Sequence, residues 1–104
     1  MRRIGGNEAA FRSVNEALRA GKTLADARKL FPFRCECGVL GCNQLVELTL
    51  PEYEAVRVSA THFFLVDGHE IIETEDVVER RERYSVVEKK SVGAQVARDA
   101  DPRS

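Results

Sequence analysis

The segment Cys35-Glu36-Cys37-Gly38-Val39-Leu40-Gly41-Cys42 holds all three cysteines of the chain, in the pattern C-x-C-x4-C. A disulfide framework needs an even number of cysteines spread along a sequence, so an odd, clustered set points instead to metal or redox chemistry. Alternate side chains of an extended segment face the same way, which lets Cys35 and Cys37 share one focus. Gly38 and Gly41 can take positive φ and curl the chain back, delivering Cys42 to the same place. Three convergent thiolates suit Zn2+, whose tetrahedral sulfur and nitrogen preference leaves one position to fill.

The chain has two histidines, His62 and His69. His69 follows an Asp67-Gly68 turn signal, where a side chain can reach a neighbouring loop. The leading ligand set is therefore Cys35, Cys37, Cys42 and His69, with His62 as the second choice. Glu36, Asp67 or a water are further alternatives, and a water would leave the site open to catalysis.

The rest of the chain must fold around this knuckle. With 104 residues it suits a single domain. Its 43% apolar and 32% charged residues exclude wholesale disorder. The longest strongly apolar run, Phe63-Phe64-Leu65-Val66, is too short to cross a bilayer, and no apolar stretch follows Met1-Arg2-Arg3 as a secretory signal requires. A cytoplasmic location is the expectation. Charge is laid out in blocks: +5 over residues 1–34, −9 over 35–79, where Arg57 is the lone cation, and +3 over 80–104.

Asn7 reads as the N-cap of a helix reaching Ala20, with Phe11, Val14 and Leu18 on one stripe and Gly21 as the stop. A short second helix starts at Thr23, with Leu24, Ala27 and Leu30 apolar, and Pro32 then forces extended chain. Gln44–Leu48 reads as a strand with Val46 and Leu48 on one face. Thr49-Leu50-Pro51-Glu52 is a capping box with proline in the first turn, opening a helix to Ala60 with Tyr53, Val56 and Ala60 inward. His62–Val66 is a strand ending at the Asp67-Gly68 turn. Val77-Val78-Glu79 and Val86-Val87-Glu88 suggest a hairpin turning near Arg81-Glu82, with a helix over Glu73–Arg83 as the alternative. The expected fold class is α+β: a small, mainly antiparallel sheet of three to five strands, two main helices packed on it, and a zinc-knuckle loop clipped to the turn at His69. Residues 1–90 form the zinc-binding domain. Residues 91–104 are expected to be a weakly structured tail, because Ala94, Val96 and Ala97 offer little to bury.

Cys35-Glu36-Cys37-Gly38 followed by Cys42 resembles the post-SET zinc motif of histone lysine methyltransferases, C-x-C-G-x3-C. There three cysteines share a zinc with a ligand from outside the motif. The similarity covers eight residues and implies zinc geometry, not methyltransferase activity. Over about residues 7–90 the chain resembles a family of small bacterial proteins of uncharacterised activity. The matching elements run from Asn7-Glu8-Ala9-Ala10-Phe11-Arg12-Ser13-Val14-Asn15-Glu16 through the cysteines to Leu48-Thr49 and Glu52-Tyr53-Glu54-Ala55-Val56-Arg57. Gly68-His69-Glu70 and Val86-Val87-Glu88-Lys89 complete the pattern. This resemblance implies that His69 is more than a filler residue.

These features favour a non-catalytic, zinc-finger-like module that works through a protein partner in a regulatory role. The first helix, with Arg12 and Arg19 beside an apolar stripe, is read foremost as a cover for the sheet and, as the alternative, as an element that docks in a partner's groove. A thiol/zinc redox sensor is the alternative, in which oxidation joins two of Cys35, Cys37 and Cys42 and releases the metal. A zinc-dependent nucleic-acid-binding regulator is another. Arg80, Arg81 and Arg83 beside Tyr84 favour it, while the acidic middle and a pI near 6.1 oppose it. No enzyme is expected. Deaminase-type zinc sites need His-x-Glu with Pro-Cys-x-x-Cys, whereas Glu70 directly follows His69 here, and no catalytic triad or phosphate loop is present.

Overall fold

The computed structural model describes residues 4–39 and 41–103. The fold is α+β, with elements in the order α1 (Ile4–Ala20), a 3-10 turn (Leu24–Asp26), β1 (Phe31–Arg34), β2 (Leu45–Leu48), α2 (Leu50–Arg57), β3 (His62–Leu65), β4 (Glu75–Arg80), β5 (Ser85–Lys89) and α3 (Ser91–Asp99). The strands form two antiparallel sheets rather than one. β1 pairs with β2, Phe33 opposite Val46, and a three-stranded sheet runs in the order β3-β5-β4. No helix among the described residues is long and apolar enough to cross a membrane.

Local chemistry explains most of the boundaries. The Thr49 hydroxyl accepts from the Glu52 amide, and the Glu52 carboxylate accepts from the Thr49 amide at 2.8 Å, a complete capping box with Pro51 in the first turn. α2 ends at Arg57, three residues short of the expected Ala60. The β4–β5 hairpin turns where Arg81 donates to the Tyr84 carbonyl, and a bulge between Val77 and Glu79 leaves Val78 out of register. The helix considered for Glu73–Arg83 is thereby replaced by strand.

The two sheets share one core through aromatic residues. Phe33 of β1 stacks on Tyr53 of α2 at 4.7 Å between ring centroids, and Phe64 of β3 meets both rings edge-on. Leu48, Leu65, Val46 and Val87 fill the space around them.

α1 departs from its expected orientation. Val14 and Leu18 are 46% and 40% exposed, whereas Glu8, Ala9, Arg12 and Asn15 are buried. The inward face follows helical spacing but is mostly polar, because its neighbours are backbone carbonyls and charged side chains. Arg12, 1% exposed, donates to the Ala60 and Ala97 carbonyls at 2.7 Å each and covers the Phe63 ring. Arg12 is therefore a core residue and not part of a docking face. The helix starts at Ile4, so Asn7 lies within it rather than capping it, and its side chain falls outside the described set, as does that of Leu24.

Residues 91–99, expected to be weakly structured, form α3. Its buried contribution is small, Ala94 and Ala97, but polar anchors hold it. Arg12 takes the Ala97 carbonyl, and Arg103 pairs with Glu16 at 2.6 Å and Glu54 at 2.8 Å. Apolar content alone could not foretell a helix fixed by ion pairs from residues about fifty and ninety positions away.

Candidate metal centre

Each arm of the site is positioned by backbone geometry. As the chain leaves β1, the Cys35 amide donates to the Gln44 carbonyl and the Glu36 amide to the Phe64 carbonyl, carrying the C-x-C segment from one sheet to the other. Gly41 takes φ +81° and Cys42 donates to the Val39 carbonyl, which turns the third thiol inward. After β3, Gly68 at φ +93° closes a turn in which the His69 amide donates to the Val66 carbonyl.

Cys35, Cys37, Cys42 and His69 thereby come together, their ligand atoms all within 4.8 Å of one another. His69 Nδ1 lies 3.7 Å from both Cys35 Sγ and Cys42 Sγ. A tetrahedral ion with bonds of about 2.3 Å to sulfur and about 2.0 Å to nitrogen spaces its ligand atoms roughly 3.5–3.8 Å apart, which the two 3.7 Å separations match. Cys35 and Cys37 are buried, while Cys42 and His69 sit half-buried at the rim. The Val66 amide donates to Cys35 Sγ at 3.1 Å.

The thiols act on one another electrostatically. A hydrogen bond from Cys35 holds the Cys37 thiol down at about 5, and burial only partly opposes it. The same hydrogen bond, together with burial, pushes Cys35 up. Of the two buried thiols, Cys37 is thus the one favoured as thiolate, and Cys35 the one that keeps its proton and donates to it.

The other candidate ligands point elsewhere. His62 lies on β3 with Nε2 3.7 Å from Glu88. Asp67 accepts from Ser85 and pairs with Arg80. Glu36, between two cysteines, is turned away from them and fully buried. Its carboxylate accepts from Arg57 at 2.5 and 3.0 Å, from Asn15 Nδ2 at 2.8 Å and from the Phe64 amide at 3.3 Å. Asn15 also brackets the backbone of Arg34, accepting from its amide at 2.8 Å and donating to its carbonyl at 2.9 Å. The side chain of Asn15 thus continues the edge of β1 into the cysteine loop.

Neither Asn15 nor Arg57 is of a type that ligates zinc, so the cysteine pattern gives no pointer to them. The one available signal is charge: a lone cation in a strongly acidic block is a candidate for a buried ion pair. Arg80, Arg81 and Arg83 are each engaged by carboxylates, Arg80 by Asp67 and Glu70, Arg81 by Glu79 and Glu52, and Arg83 by Glu52. Comparison with known proteins finds no family model, no curated protein and no solved structure that matches this chain.

Proposed function

We propose that this protein is a non-catalytic zinc-binding domain with a structural Cys3His site, acting as a regulatory or protein-interaction module in the bacterial cytoplasm. The carrying observation is the convergence of Cys35, Cys37, Cys42 and His69 within 4.8 Å. Three soft sulfurs and an imidazole are the donor set that zinc prefers, and four protein ligands leave no open position for substrate. Thiolates held as metal ligands suit a reducing compartment. Structural zinc in finger peptides contributes on the order of 10–16 kcal/mol at neutral pH, comparable to the whole net stability of a domain. An interaction role draws support from α1, whose Val14 and Leu18 are turned outward. The engagement of Arg80, Arg81 and Arg83 by carboxylates weighs against a nucleic-acid partner.

Native mass spectrometry of the purified protein and of His69→Ala tests the site. One zinc in the parent and none, or weakly held zinc, in the variant is the expected result. Zinc held equally by both would transfer the fourth position to another ligand and reopen catalysis. A metal-free parent would overturn the reading.

A further inference from the structure

The three sulfurs are not equivalent, and the difference bears on regulation of the zinc site proposed above, on which this inference rests. In a zinc-bound set all three are thiolates, so access and hydrogen bonding decide which reacts, not protonation. Cys35 and Cys37 are 1% and 0% exposed, and Cys35 also receives the Val66 amide. Cys42 is half-buried at the rim. Beside it the Arg34 guanidinium, lying 4.6 Å over the Phe11 ring, donates to the Cys42 carbonyl at 3.4 Å. A partly exposed sulfur on a residue whose backbone is held by a fixed cation is the setting in which thiolates react with small oxidants and electrophiles. The sulfur of Cys37 lies within 4.8 Å of that of Cys42, and it is free of the backbone amide that holds Cys35.

We propose that Cys42 is the reactive ligand of the site, attacked first by a hydroperoxide and resolved by Cys37, with loss of the metal. The Cys42 thiolate attacks the peroxide oxygen. A sulfur–oxygen bond forms as the oxygen–oxygen bond breaks, two electrons pass from sulfur to the peroxide, and the departing alkoxide takes a proton to become an alcohol. The Cys37 thiolate then attacks the Cys42 sulfur. The disulfide forms, the sulfur–oxygen bond breaks, and hydroxide leaves with a second proton as water. Two thiolates, one hydroperoxide and two protons thus give one disulfide, one alcohol and one water. Only Cys35 and His69 remain on the zinc, too few ligands to hold it. The His69 turn is then no longer clipped to the cysteine loop, which makes the metal a latch that peroxide opens.

The experiment uses the full chain after native mass spectrometry has counted its zinc. A sub-stoichiometric pulse of N-ethylmaleimide is followed by peptide mapping of the singly labelled protein. A parallel hydrogen peroxide titration is read by dimedone labelling and by zinc release to a chromogenic chelator. The expected results are labelling of Cys42 about ten-fold ahead of either other cysteine, dimedone on Cys42, a Cys37–Cys42 disulfide, and zinc released in step with peroxide. Zinc-loaded protein labelled evenly, or first on Cys35 or Cys37, overturns this proposal and leaves the zinc reading standing. Retention of zinc without dimedone on Cys42 overturns the oxidative step. A chain that arrives without zinc overturns both.

Discussion

Glu36 and Arg57 form a bidentate ion pair at 2.5 and 3.0 Å, with side chains 0% and 2% exposed, and they fix the peptide that carries two of the four converging ligands. The pair lies on the opposite side of the C-x-C segment from the sulfurs. Alternation along the extended chain sends Cys35 and Cys37 one way and Glu36 the other. Breaking a buried pair by removing one partner leaves an uncompensated charge. Arg57→Met is therefore expected to cost about 3–5 kcal/mol. Metal affinity should fall with it by about 10–100-fold, as when groups supporting metal ligands are removed. Urea unfolding and competitive chelator titration measure the two effects, and an Arg57→Met protein with unchanged zinc affinity would show that the clamp supports the fold alone.

Metal removal should act on folding as a whole. Cys37→Ser, or exhaustive chelation of the parent, is expected to abolish the cooperative thermal transition, because the ligands join the β1–β2 connection to the turn after β3. His62→Ala lies outside the cluster and should keep both the metal and the transition. Near-ultraviolet circular dichroism with metal analysis reads both. A Cys37→Ser protein that melts like the parent with its metal in place would sink the structural role.

The orientation of α1 gives a sharp contrast. Leu18→Ala on the exposed side should change stability by less than about 0.5 kcal/mol. Phe64→Ala in the shared aromatic core should cost about 3–5 kcal/mol. Arg12→Met should be more harmful than Leu18→Ala despite replacing a charge with an apolar group, since it strips the Ala60 and Ala97 carbonyls of their donor. Chemical denaturation midpoints would decide, and equal costs for Leu18→Ala and Arg12→Met would mean that the helix is turned the other way.

A second buried network sets an alkaline limit. Lys89 Nζ lies 2.8 Å from Glu8 and 3.0 Å from Glu75, all three side chains fully enclosed. Burial, reinforced by the neighbouring Glu75, raises the Glu8 carboxyl to about 9 against the pull of Lys89. The usual carboxylate value is about 4.3, so between these limits the folded chain holds a proton that the unfolded chain releases. Stability from this group is full below the lower value and is lost as pH rises through the upper one. Glu8→Gln should flatten that decline between pH 5 and 9 in urea titrations, and an unchanged slope would refute it.

The carboxyl-terminal helix should count toward stability. Arg103 holds the Glu54 carboxyl at about 2, aided by Arg19 and outweighing partial burial. A carboxylate shifted down stabilises above its usual value, and that contribution fades as pH falls toward 2. Because Glu54 is 40% exposed, Arg103→Ala should cost no more than about 1 kcal/mol at neutral pH. Deleting residues 91–104 should cost more, since it also uncovers Arg12. A truncated chain as stable as the parent would return these residues to the status of a loose tail.

What the chain declares locally, it declares well. The capping box at Thr49–Glu52, the extended run at Pro32, the glycine turns at 41 and 68, and the cysteine spacing all act within a few residues, where side-chain and backbone chemistry suffice. The α+β class and the convergence of the three cysteines with His69 follow from such signals. The face that α1 buries, the division of the strands into two sheets, the anchoring of α3 and the Asn15–Glu36–Arg57 clamp were decided only by tertiary structure. Each depends on a polar group finding a partner far along the chain. Hydrophobic periodicity cannot reveal that, because burial of a charge is set by its partner and not by its own affinity for water.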